Sequence, residues 1–248
     1  MTVDNLATQA EAFANELTQT VRALVPNCPP FVPQLLTDRA SHPDRFVVRQ
    51  DPDRGIPLNV DGQPLLTLKV EYFCCLDGHD RYLAIDRAQF HVFAGKEAKK
   101  EPLFRYEYKR SAAPDMPAAH VHVHGHRDGL SHVIAKAGTG TRRARARAAD
   151  PTIPRMADLH FPVGGHRFRP CLEDVLEMLV TELGVDHPEG AIESLRRGRE
   201  TWRRKQVRTV VRDAPEEAVA ALESLGYSVT LLEGAEIPKD NVSRLRDF

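Results

Sequence analysis

Cysteine is scarce in this chain, with four residues in 248. Two of them, Cys74 and Cys75, are adjacent. Neighbours on a strand point to opposite faces, so this pair makes a poor metal clamp. A disulfide framework is excluded as the basis of the fold, and reduced thiols are expected. Apolar runs are short too: none nears the roughly 20 residues of a membrane span. The opening M-T-V-D-N-L-A-T has neither the basic flank nor the apolar core of a secretory signal. A cytoplasmic location is therefore expected. An excess of charge is missing as well, since 34 Lys and Arg against 35 Asp and Glu leave a formal −1. No general attraction to nucleic acid or membranes follows from that balance. There is no internal repeat and no Gly-rich phosphate loop.

What the chain does have is histidine in a pattern. Residues 118–126 read A-A-H-V-H-V-H-G-H, placing His120, His122, His124 and His126 at every second position. A helix would scatter these side chains round its axis, whereas a strand puts all four on one face. The spacing predicts a half-buried strand with Val121 and Val123 inward and a row of imidazoles about 7 Å apart on the other side.

The flanking sequence predicts the frame. Residues 5–25 carry Leu6, Ala10, Phe13, Leu17, Val21 and Leu24 at spacings of three and four, an amphipathic helix. Such a stripe packs on its own domain or serves as a dimer seam. Pro26, Pro29, Pro30 and Pro33 end the helix and start an extended connector. From about residue 45 consecutive strands follow, with a hairpin signal at Asp61-Gly62. Their short connections favour an antiparallel meander of five or six strands. In the strand at 103–110, Phe104, Tyr106 and Tyr108 share one face, while Arg105, Glu107 and Lys109 share the other. If the aromatic face joins Val121 and Val123 in the core, the charged face lies beside the imidazoles.

Residues 138–155 read as a flexible basic loop, with Arg142, Arg143, Arg145 and Arg147 placed to contact phosphates or simply solvated. L-H-F-P-V at 159–163 reads as one more strand, with His160 near its centre and His166 in the loop beyond. Leu172, Val175, Leu176, Leu179, Val180 and Leu183 define a helix that Gly184 stops. A third helix runs from Glu189 towards Val211, with a densely basic outer side. A fourth covers about 215–225, with Asp213 as N-cap, Pro215 in its first turn and Gly226 after its end. Y-S-V-T-L-L reads as a closing strand, and V-R-T-V-V-R offers a strand as the alternative to helix. The expected fold class is α+β. Residues 1–137 hold the first helix and the sheet, 138–155 the basic loop, and 156–248 the last strand and helical part, which can form one domain with the sheet.

The imidazole row admits three kinds of chemistry. Two of its members, His122 and His124, together with a distant His160, could ligate a divalent zinc or manganese ion, since catalytic zinc takes three protein ligands and an open position. Alternatively His120, His122 and His124 act as acid and base beside Arg105, Glu107 and Lys109, as a metal-independent ribonuclease requires. In the third reading the row is a polar binding face. The remaining histidines, His91 among them, read as structural or surface residues.

F-R-Y-E-Y-K-R followed by A-H-V-H-V-H-G-H, then L-H-F-P and a helix bearing L-E-D-V-L-E-M-L, resembles the small TumE-like toxins of bacterial toxin–antitoxin pairs over roughly residues 65–183. Those proteins show an R-Y-x-Y-type strand, a His-rich segment and then a helix. The resemblance implies a toxin with an antitoxin partner and assigns no catalytic residue. The function expected is that of a hydrolase, with RNA as a candidate substrate. The alternative is a non-catalytic protein that binds a partner through its basic helix and N-terminal helix. Homodimerisation fits either.

Overall fold

The fold follows from one helix and one sheet whose apolar faces meet. The structure is a computed structural model that describes residues 3–36, 45–77, 82–99, 101–113, 116–125, 145–146, 149–152, 155–158, 161–164 and 166–246. Helix α1 (Val3–Leu24) precedes eight strands: β1 (Phe31–Leu36), β2 (Arg45–Gln50), β3 (Ile56–Val60), β4 (Gln63–Leu76), β5 (Leu83–Ala94), β6 (Phe104–Lys109), β7 (Ala119–Val123) and β8 (Phe161–Pro162). A 3₁₀ turn, Met156–Asp158, comes just before β8. Helices α2 (Leu172–Leu183), α3 (Ala191–Asp213), α4 (Pro215–Ser224) and α5 (Val242–Arg246) complete the chain. This is the expected α+β architecture.

The sheet is ordered β1-β2-β4-β5-β6-β7-β8, with β3 paired to β4 beside β2. Every pairing is antiparallel. The Asp61-Gly62 turn between β3 and β4 has positive φ at both residues, 51° and 74°, as a tight two-residue hairpin needs. The Asp186 carboxylate caps it by accepting the N–H groups of Asp61 and Gly62.

The α1 stripe is used inside the fold. Leu6, Ala10, Leu17, Val21 and Leu24 are buried against a core that also takes in Leu172, Val175, Leu176 and Leu179 of α2 and Leu195 of α3. From the sheet, the row Val48–Tyr72–Ala88–Tyr108–Ala119 runs across five strands and is buried throughout. Burying one Leu or Val side chain stabilises by about 1.5–3 kcal/mol.

Three expectations are corrected. The connector after α1 contains an edge strand, β1, in which Pro33 is tolerated because an edge residue need not donate to a neighbour. Asp213 is not the N-cap of α4. It ends α3, buried and paired with Arg167 at 2.6 Å, and Ala214 takes the cap position. Y-S-V-T-L-L at 227–232 forms no strand, because no sheet neighbour is placed beside it; Leu232 is 82% exposed. Residues 207–212 are helical, as expected, and the strand alternative for V-R-T-V-V-R falls. Arg142 and Arg143, Arg147, His126 and His160 lie outside the described residues.

Candidate metal centre

The pleat places the charged face of β6 beside the histidines of β7, as expected, and the register lines up two rows. One row reads Glu71–Gln89–Glu107–His120 across β4, β5, β6 and β7. The next reads Lys69–His91–Arg105–His122. All eight side chains therefore project from the sheet face opposite α1.

The orientation of β7 is as expected, but the burial of its two faces is not. His120 and His122 are each 2% exposed, whereas Val123 is 37% exposed. The reason is non-local: the Met156–Asp158 turn packs over the histidine side of β7, and β8 pairs along its edge. The imidazole row is thus a buried set of groups.

Burial dictates the hydrogen bonding. His120 places Nδ1 2.9 Å from the carbonyl of Pro117, and His122 places Nδ1 2.6 Å from the carbonyl of Ala157. A carbonyl only accepts, so both protons sit on Nδ1 and both Nε2 atoms point the other way. They converge on one oxygen, with His120 Nε2 3.2 Å and His122 Nε2 3.3 Å from Glu107 Oε2. The two rings meet edge to face at 4.9 Å.

The second oxygen of Glu107 is held separately. Oε1 lies 3.4 Å from Arg105 Nε, 3.5 Å from His91 Nε2 and 3.5 Å from Gln89 Nε2. Burial works to raise the Glu107 carboxyl, but His120, His122, His91 and Arg105 outweigh it and hold it well below the ordinary carboxylate range. These partners favour the carboxylate form of Glu107.

An ionised carboxylate cannot rest against two bare imidazole lone pairs. Either each Nε2 carries a proton and the rings are cationic, or a cation lies between them. The donor set suits a cation. Glu107, His120 and His122 offer ligand atoms within 4.8 Å of one another, the one such group of three among the described residues. With metal–ligand bonds of about 2.1 Å, adjacent ligands stand roughly 3.0 Å apart in an octahedron and roughly 3.4 Å in a tetrahedron. The observed 3.2 and 3.3 Å fall between those edges. Two imidazoles and a carboxylate also match the ligand types of catalytic zinc and of the facial triad of transition metals.

The remaining expected site residues fall elsewhere. His124 lies beyond the end of β7 and is not one of the three ligands; its Nδ1 is 2.7 Å from Glu101 Oε1. Of the expected set His122, His124 and His160, this group shares His122, and His160 lies outside the described residues. Arg105 joins the cluster through Glu107. Lys109 is exposed, opposite Arg87 at the far end of β6. His91 is the residue missed, and its signal was present: it alternates with the buried Phe90 and Val92, on the same side as Gln89.

A third buried histidine, His166, meets the Tyr108 hydroxyl at 3.2 Å on the core side, with the Arg169 guanidinium stacked 3.7 Å over the Tyr108 ring. Arg169 also donates to the His166 carbonyl. This group braces the turn that leads into α2 and lies apart from Glu107.

No protein-family model, curated protein or solved structure matches the chain, so its chemistry is read from these side chains alone.

Proposed function

We propose that this protein is a metal-dependent hydrolase, with Glu107, His120 and His122 holding one divalent zinc or manganese ion. A single observation carries the reading: two buried imidazoles, tautomerically locked by backbone carbonyls, aim their Nε2 atoms at one carboxylate oxygen. When bound, such an ion supplies Lewis acidity and a water nucleophilic near neutral pH. The chain's own residues do the rest. Gln89, His91 and Arg105 fix Glu107 through its other oxygen, and Arg105 brings positive charge to the site where an anionic transition state needs it.

The substrate class that fits best is a phosphodiester, with RNA first to be tried. The arginine beside the donor set supports this, and so does the resemblance to TumE-like toxins, which brings an antitoxin as the proposed partner. Among the described residues no helix is long and apolar enough to cross a membrane, and the cytoplasm is the location proposed. The test is cleavage of short labelled RNAs by untagged protein, with added zinc or manganese and with chelator. Metal-dependent cleavage that disappears in His122→Ala is expected. RNA left intact under every metal condition contradicts the phosphodiesterase reading.

The alternative, a protein that works by binding a partner, draws on a different surface. Leu225, Tyr227, Leu232 and Ile237 after α4 are all exposed, as are the charged residues of outer α3. Exposed apolar groups in such number mark interaction surfaces. The α1 stripe is not part of that surface, being buried in the core. A wild-type function that survives His122→Ala favours this alternative.

A further inference from the structure

Next to the candidate metal centre a second carboxylate is held in a different way. Glu101, in the loop before β6, is 49% exposed at its side chain. Its Oε1 lies 2.7 Å from His124 Nδ1 and 2.9 Å from Arg155 Nη1. Arg105, which contacts Glu107, also acts on Glu101: the His124 contact first, and the charges of Arg155 and Arg105 with it, hold the Glu101 carboxyl below its ordinary value.

These groups are built into the same scaffold as the donor set. His124 follows His122 by two residues, just past the end of β7, and its backbone N–H donates to the Leu103 carbonyl at 2.8 Å. Arg155 donates its backbone N–H to Asp158 at 2.7 Å, closing the turn whose Ala157 carbonyl holds His122. The Glu101 cluster and the donor set therefore share the covering turn, and His124 directly follows β7.

A purely structural role explains this poorly. An ion pair as exposed as Glu101–Arg155 adds little to stability. His124 is nine-tenths buried, and its Nε2 makes no hydrogen bond among the described residues. Burying a polar nitrogen in that state is costly unless a ligand offsets the cost.

We propose that His124 and Arg155 form an anion subsite for a phosphoryl group of the substrate, where the Glu101 carboxylate sits as an internal stand-in. The proposal rests on the metal-hydrolase reading for its place in a reaction, but not for its binding test. A guanidinium fork and an imidazole nitrogen are suited to a phosphate oxyanion. An exposed glutamate is easily displaced from them.

The test is binding of inorganic phosphate to the full chain, by calorimetry, for wild type and for Glu101→Gln, His124→Ala and Arg155→Gln. Each is measured with metal bound and with chelator, and metal content is determined in parallel. Expected are tighter phosphate binding in Glu101→Gln and a loss of roughly tenfold or more in Arg155→Gln, the size of one charge-assisted hydrogen bond. Arg155 is exposed, so its variant folds and the comparison stands even if His124→Ala does not. Phosphate affinity that is the same in all chains, or absent from Glu101→Gln, overturns the subsite. Acetate binding as tightly as phosphate overturns the phosphoryl assignment. Variant-dependent phosphate binding by a protein that takes up no metal sinks the metal reading alone. Variant-independent binding in a metal-loaded protein sinks the subsite alone.

Discussion

His122 gives its Nδ1 proton to the carbonyl of Ala157 at 2.6 Å. That bond joins β7 to a turn 35 residues further along the chain. It decides which nitrogen of His122 faces Glu107. A neutral His122 must therefore be the Nδ1-H tautomer. Long-range nitrogen–proton spectra of metal-free protein at alkaline pH should show that form for His122 and for His120. An Nε2-H tautomer at either position contradicts the assignment.

His91 reaches the site only through Glu107 Oε1. It is a positioning residue, so His91→Ala should leave the fold intact. Metal affinity should fall by about 10–100-fold, the usual effect of removing a group that orients a ligand. Competition titration with a chromophoric chelator measures this. Unchanged affinity would show that Gln89 and Arg105 suffice to hold the carboxylate.

Helix α2 tests the core. Leu176 is fully buried, in the same core cluster as the apolar residues of α1 and the sheet. Leu176→Ala removes its transfer free energy and leaves a cavity, and should destabilise by about 2–5 kcal/mol in urea unfolding. A loss below about 1 kcal/mol would mean that the α2 stripe is not packed as described.

The entrance to α2 gives a pH prediction. Asp174 accepts the Cys171 N–H at 3.0 Å and sits 2.6 Å from Arg199 Nε. Burial acts to raise its carboxyl, but these bonds outweigh it and the group titrates below its ordinary value. In acid the unfolded chain then binds more protons than the folded one, so stability rises with pH there. The contribution is complete above the ordinary aspartate value of about 4 and is lost as pH falls through the folded value. Urea midpoints between pH 5 and pH 3 should fall more steeply for wild type than for Asp174→Asn. Equal slopes would remove Asp174 from the account of acid stability.

Local pattern and non-local packing divide what could be read before the structure was seen. The two-residue period placed His120 and His122 on one face, and the alternation in β6 placed Glu107 and Arg105 beside them; both are properties of a single pleat. The burial of that face was not legible, because the turn that covers it lies beyond the Gly- and Arg-rich stretch at 138–155. His91 was passed over for a similar reason. Its alternation with Phe90 and Val92 is local, but its partner Glu107 emerges only when β5 and β6 are set in register. Pro33 hid β1, since proline reads as a breaker until the strand is known to lie at an edge. In the tail, β-branched residues at 227–232 suggested a strand, yet strand propensity has no effect without a neighbour to pair with.

The central claim is that Glu107, His120 and His122 hold a metal ion. Elemental analysis of freshly purified, untagged protein measures it most directly, with His122→Ala, Glu107→Gln and His124→Ala purified alongside. Expected is about one zinc, manganese or other transition ion per chain in wild type and in His124→Ala, and none in the other two. A folded wild-type protein that carries no metal and takes up none on incubation would contradict the claim. So would metal that stays bound in His122→Ala.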